Sequence, residues 1–513
     1  AASDVYKRQG HYSESAKKKN EAAPLVPKSE RHTMAARLIT LAALALGCAA
    51  NVCADANVTF STPTAKSLTV PNQLDGIPFE VPTTWAGNLP ISSDKDESRK
   101  LFFWLWPSES DRGKDDLAIW LNGGPGCSSL DGALQENGPI RLVHGSMDKV
   151  ERNPYAWNKL SHVMWVSNPV GVGFTEGKPD IVGMEGLADE FYGFLVQFFE
   201  AFPELKGKRL WLTGESYAGK YIPYIAHKIY SEDGAKDAGI NLQGIAMNDP
   251  LFSTNFLGEE APAFEYLERY KDVMRVNEST VKAVRKKAAK YGVDDYVAKH
   301  LQYPAKGHFY VPDQFNLSDS VWTEVNKAGT EASKCFNPYE IRPDCAYNTD
   351  PLGIPLDTQK PHKHNFINAH PGLKKALNVD PNRTWTECTF GTVFKGKQSD
   401  DSTPPDRSVL PKVIEKSQRA VIQHGTYDLV LIANGTALAI QNMTWAGKMG
   451  FENPPDQELR VNGKKHGSFG IERGLTFALI DRSGHMIPEF KPRTAFKMQK
   501  YLLGQLNASA LEH

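Results

Sequence analysis

Cysteine is scarce, with six in 513 residues. That is too few to build a fold from disulfides, and none falls in the C-x-x-C pairs that structural zinc sites use, so no metal is expected. An excess of one charge is also missing. Lysine and arginine total 59 against 60 aspartates and glutamates, a net charge of -1, so no basic field recruits nucleic acid. The apolar run from Leu38 to Ala50 is well short of the ~20 residues of a membrane-spanning helix, and no later stretch is longer. Internal repeats and low-complexity tracts are absent, which excludes a solenoid. What is present is 41% hydrophobic and 10% aromatic residues, enough for a large core and too many for a disordered chain.

From Met34 the chain reads MAARLITLAALALGCAANVCADA: a basic residue at Arg37, the short apolar run, and the small-x-small triplet Ala54-Asp55-Ala56. This layout predicts a signal peptide over 34–56, with 1–33 as upstream or non-native leader. The bland alternative is a buried N-terminal helix. Passage through the secretory pathway, to the outside or to a vacuole, leaves four cysteines, Cys127, Cys335, Cys345 and Cys388, in an oxidising compartment. Three pairings are possible. The short Cys335 to Cys345 loop closes most easily, which leaves Cys127 with Cys388. His362 and His364 are read as a solvated loop rather than ligands. Asn57, Asn277, Asn316, Asn382, Asn434, Asn442 and Asn507 each open an Asn-x-Ser/Thr sequon and are candidate glycan sites on the surface.

Short apolar runs ending in glycine-rich or polar turns recur at Leu117 to Leu121, Val163 to Val166 and Leu210 to Leu212, and resume at Ala420 to Gln423 and Leu475 to Ile480. Each reads as a buried parallel strand feeding a loop at its C-terminal end. Between them, Leu187, Phe191, Phe194, Leu195, Phe198 and Phe199 repeat at three and four, a helix over Glu185 to Phe202 closed by Pro203. Alternating strand and helix predicts an α/β fold with a mostly parallel central sheet. The pattern dissolves between Ser253 and Asp406, giving a first core part over 57–252, a helical, disulfide-containing insertion or lid over 253–406, and a second core part over 407–513.

LWLTGESYAGKYIPYIA is a strand, a tight turn and a helix, and Ser216 sits at the turn. The nucleophile-elbow pattern G-x-S-x-G is matched imperfectly, with Ala218 in fifth place and Gly219 after it. A serine needs a base and an orienting carboxylate. Asp428, after AVIQHG, and His485, in DRSGHMIP, follow in the α/β-hydrolase order Ser, Asp, His. Singly these could be a turn aspartate and a surface histidine; together they form a candidate triad. The glycine turn WLNGGPGCSS is similar to the loop giving one oxyanion donor, so Gly124 and Tyr217 are the candidate donors.

Taken together, WLNGGPGCSS, SNPVGVGF, GESYAGKYIP and SGHMIP resemble the signature blocks of the serine carboxypeptidase family, in its order and across residues 120 to 488. HGTYDLVLIANGTALAIQNMTW looks most like its secreted fungal members. The resemblance implies an α/β-hydrolase fold, no cofactor, and removal of the last residue from peptide or protein C-termini by a monomer or homodimer. It also implies that Asn122 and Glu215 hold the substrate's terminal carboxylate, with Glu136 hydrogen-bonded to Glu215 and Trp120 beside them. Glu215 must then be protonated to donate, which predicts an acidic optimum on peptides. Transfer of the acyl group to an alcohol, or a non-catalytic binding role, are the alternatives. In GIAMNDPLFS, Asn248 and Asp249 depart from the family's usual Ile-Gly-Asn. Asp249 could favour a basic residue before the cleaved bond or serve a turn beside Pro250.

Overall fold

A computed structural model describes residues 58–513 apart from 314, 349, 354–364, 390–392 and 398. Residues 1–56, over which a leader and signal peptide are expected, and Asn57, His362 and His364 lie outside the described residues.

Eleven strands form one mixed sheet: β1 Thr69–Val70, β2 Thr84–Pro90, β3 Lys100–Trp106, β4 Asp116–Leu121, β5 His162–Ser167, β6 Arg209–Glu215, β7 Asn241–Asn248, β8 Arg419–Gly425, β9 Gln457–Val461, β10 Lys464–Glu472 and β11 Leu475–Ile480. Their spatial order is β1-β2-β3-β5-β4-β6-β7-β8-β11-β10-β9. The six strands from β5 to β11 in that order run parallel. Both flanks are antiparallel, a feature the apolar runs did not signal.

Side-chain alternation decides the layers. Leu101, Phe103, Leu105, Leu117, Ile119, Leu121, Ile422 and Phe477 face one core. Phe102, Trp104, Trp106, Ala118 and Trp120 face a second on the opposite side, and Val421, Ala478 and Ile480 a third. The first core is covered by α1, Met184–Ala201, and α2, Ala218–Ser231. Helix α1 buries the expected Leu187, Phe191, Phe194, Leu195, Phe198 and Phe199 and ends at Phe202 before Pro203. The Phe198 ring meets Phe103 edge-on at 5.6 Å, and truncating such a ring costs about 3–5 kcal/mol. Opposite, the C-terminal helix Pro492–Leu502 buries Ala495, Met498 and Leu502 against Trp211 and Val421.

Between β7 and β8 the chain leaves the sheet to form helices Ala263–Met274, Glu278–Tyr291 and Val321–Ala332 and then irregular segments. Disulfides join Cys335 with Cys345 and Cys127 with Cys388, the pairing expected from loop closure. Among the described residues, no helix is long and apolar enough to cross a membrane. Asn277, Asn316, Asn382 and Asn507 are exposed. The side-chain amides of Asn434 and Asn442 are half-buried and donate to Glu265 and to the Phe309 carbonyl, so glycans there would displace those bonds.

Candidate active site

Parallel strands aim their C-terminal ends at one edge, and the site is built from the loops there. Ser216 follows β6 with φ +59, a left-handed conformation that non-glycine residues rarely adopt. The turn is held on three sides: Ser216 N–H donates to the Asn248 carbonyl at 3.0 Å, and its own carbonyl accepts from Gly219 and Leu251. A β-carbon on Gly123 would stand 2.4 Å from the Tyr217 nitrogen and 2.8 Å from Ser216 Cβ. Only glycine lets the two loops approach this closely. Neither the Gly124 nor the Tyr217 N–H bonds to an acceptor among the described residues, as an oxyanion hole requires.

Asp428 follows β8 and His485 follows β11, its neighbour in the sheet. Asp428 Oδ2 accepts from His485 Nδ1 at 2.6 Å. With that nitrogen donating, Nε2 is the basic one; it is buried and without a partner among the described residues. Burial opposes the charge on Asp428, yet His485 and His424 hold its carboxyl below the usual range. The Cys335–Cys345 loop clamps this side. Tyr339 accepts the His485 N–H at 2.8 Å through its carbonyl and sets its ring edge-on to the imidazole at 5.2 Å. Pro338 accepts from Leu429 N–H.

A second group lies on the other side of Ser216. Asn122 Nδ2 donates to Glu215 Oε1 at 3.0 Å, Glu136 Oε1 at 3.1 Å and Asp131 Oδ2 at 3.3 Å. Its Oδ1 accepts from Trp120 Nε1 and the Gly132 N–H, which fixes the amide's orientation. Burial, then the neighbouring carboxyls, push Glu215 well above its ordinary pKa, and burial with Asp131 does the same for Glu136. Both Glu215 and Glu136 are thereby favoured in the acid form. Their Oε2 atoms are buried and unpartnered, poised for a ligand. Asp131, not singled out in the sequence, is pushed up to about 7 by burial and then by Asp350.

Asp249 is not in a side-chain pocket. It is fully buried beneath Asp428, with φ +45, and its Oδ1 accepts from the Gly425 N–H at 2.7 Å. That position agrees with the turn role beside Pro250. Asp249, His424 and Asp428, like Asp131, Glu136 and Glu215, could bring oxygen or nitrogen ligands within 4.8 Å of one another. Both His424 nitrogens are already bonded, to Thr436 and Leu431, and each carboxyl of the second trio already accepts from Asn122 Nδ2, so neither set is arranged as free ligands for a cation.

Residues 78–505 match the family model for serine carboxypeptidases. The chain is 38% identical to a probable serine carboxypeptidase of Arthroderma benhamiae, over 84% of this chain and 85% of that one. It is 35% identical to the serine-type carboxypeptidase F of Aspergillus niger, over 85% and 87%. The crystal structure of Kex1(delta)p, a prohormone-processing carboxypeptidase from Saccharomyces cerevisiae, superposes with a TM-score of 0.67 at 23% identity, covering 87% of this chain and 97% of that one. It shares the fold.

Proposed function

This chain belongs to the serine carboxypeptidase family, and on that premise we propose that it removes the C-terminal amino acid from peptides and proteins through an acyl-enzyme on Ser216, best at acidic pH. The observation that carries the reading is adjacency: Glu215, whose acid form is favoured, immediately precedes Ser216, and Asn122 bonds to both Glu215 and Glu136. A terminal carboxylate bound there leaves the last peptide bond beside the nucleophile.

Ser216 Oγ attacks the carbonyl carbon while His485 Nε2 takes the hydroxyl proton. Asp428 steadies the resulting imidazolium, and the Gly124 and Tyr217 N–H groups receive the oxyanion. Collapse breaks the C–N bond, and His485 returns the proton to the departing amine. Water, deprotonated by the same nitrogen, then hydrolyses the ester and restores Ser216. Glu215 donates its proton in a hydrogen bond to the substrate carboxylate; once the pair ionises, that carboxylate is repelled.

The test is release of the last amino acid from a blocked peptide with a free C-terminus and from its C-terminal amide, at pH 5, with Ser216→Ala as control. Strong preference for the free acid is expected. Equal cleavage of both would remove the carboxylate-binding roles of Asn122, Glu136 and Glu215. Secretion through a 34–56 signal peptide, with glycans at Asn277, Asn316, Asn382 and Asn507, completes the reading, supported by the two disulfides. N-terminal sequencing of the exported protein checks it, with a start at Asn57 expected.

A further inference from the structure

Behind the triad, packed against Asp428, lie two titratable groups that the hydrolytic cycle leaves without a task, Asp249 and His424. Asp249, His424 and Asp428 are all fully buried. His424 Nε2 stands 3.4 Å from Asp428 Oδ2 and 3.5 Å from Asp249 Oδ1, but its proton is committed elsewhere. At 2.8 Å from the Leu431 carbonyl, which can only accept, Nε2 must be the donor, and Nδ1 meets the Thr436 hydroxyl at 2.9 Å.

The oxygens of Asp249 are unequal. Oδ1 accepts the Gly425 N–H, whereas Oδ2 is buried with no donor among the described residues, although the carboxyl lies with His424 and Asp428 in a cluster whose ligand atoms are within 4.8 Å of one another. Two ionised carboxylates this close and fully buried repel each other and leave that oxygen orphaned. One proton between them removes both penalties. Asp428 is the member that stays charged, because it also accepts from His485 and from the Leu431 N–H at 3.1 Å.

We propose that Asp249 is a positioning residue: a buried carboxylic acid that donates its proton to Asp428, holds that carboxylate in line for His485, and by losing the proton sets an alkaline limit on Ser216 reactivity. The proposal rests on the triad reading above. Burial and the charge of Asp428 keep the acid form in place. The titratable groups around it are His424 and Asp428 from β8 and its loop, Glu136 and Glu215 from the carboxylate-binding side, His485 through Asp428, and Tyr266, which faces Asp428 from helix Ala263–Met274. Ionisation of Asp249 adds a second negative charge against Asp428 and pushes it out of line.

A fluorophosphonate probe tests this without engaging the carboxylate-binding pair, since the probe has no terminal carboxylate. Its rate of reaction with Ser216 should fall by up to about tenfold per pH unit once Asp249 ionises. Asp249→Asn keeps a donor toward Asp428 but cannot ionise; it should react within about threefold of wild type at pH 5 and lose the alkaline fall. Asp249→Ala should lower kcat roughly 10- to 100-fold with KM little changed, the range for a lost hydrogen bond to a charged group. A wild-type rate level from pH 6 to 9 overturns the proposal even if no variant folds. So does an Asn variant that follows the wild-type profile, or one that is folded by its Tm but inactive throughout. Wild-type protein that never reacts with the probe overturns the triad reading itself.

Discussion

Asp428 and Glu215 stand on either side of Ser216, both buried, and only Asp428 is charged. Burial disfavours the ionised form of each. Asp428 has two imidazoles beside it, His485 at 2.6 Å and His424 at 3.4 Å, and stays ionised. Glu215 has an amide donor in Asn122 and two more carboxyls, Glu136 and Asp131, and keeps its proton. The same functional group therefore becomes a base's anchor on one side and a hydrogen-bond donor on the other. What decides is whether the neighbours supply donors and positive charge or more acid.

The sharpest way to test that division is to destroy the hydrolytic half alone. Ser216→Ala should lower kcat by about 10⁴-fold or more while leaving peptide affinity within a few-fold. Single-turnover kinetics with binding measured separately would show it, and a matching loss of affinity would mean that the halves are not separable. Next in size is the binding half. Because the folded pKa values of Glu136 and Glu215 are raised, their acid forms persist above the ordinary carboxyl range and are lost only as pH rises through the folded values. KM for a free-acid peptide should rise through that window while KM for the amide stays level. Glu215→Gln, a donor at every pH, should raise KM by roughly 10-fold at pH 5 and flatten this rise. The same linkage makes the protein lose stability as pH climbs above the unfolded carboxyl value of about 4.3, read as a falling Tm.

How much of this was visible in the sequence follows the same division between local and packed features. Six strand and helix segments at the centre were legible because parallel strands covered on both faces are almost uninterruptedly apolar, as in Leu117 to Leu121. The antiparallel flanks were not: Lys464–Glu472 is half polar and lies toward the edge of the sheet. Ser216, Asp428 and His485 could be placed because each sits in a short motif after a strand. Glu136 and Glu215 came only through the family resemblance, since nothing in their spacing marks them. Asp131 and His424 carried no local signal at all, and Asp249 was marked only as a turn or specificity residue, not as a partner of Asp428. Asp131 lies in an ordinary SSLDGAL turn and His424 inside a strand, and their chemistry arises only when β8, the loop after β7 and the loop after β4 pack together.

The smallest expected effect concerns the loop closed by Cys335 and Cys345, which touches one half and not the other. Its Tyr339 carbonyl holds the His485 N–H, its Pro338 carbonyl the Leu429 N–H, and its Ile341 N–H the Tyr427 carbonyl. All three partners flank the histidine and aspartate. Asn122, by contrast, is fixed by Trp120, Ser129 and Gly132, and the other disulfide runs from Cys127 in that same turn. Replacing Cys335 and Cys345 by serine frees a ten-residue separation and should cost about 2–3 kcal/mol. The loosened clamp should lower kcat about three- to tenfold, as misplacement of a catalytic base by a fraction of an ångström does. KM for a free-acid peptide should not move, because the binding side is braced separately. If KM rises as much as kcat falls, the loop braces the whole cleft, and the two sides of Ser216 are one mechanical unit.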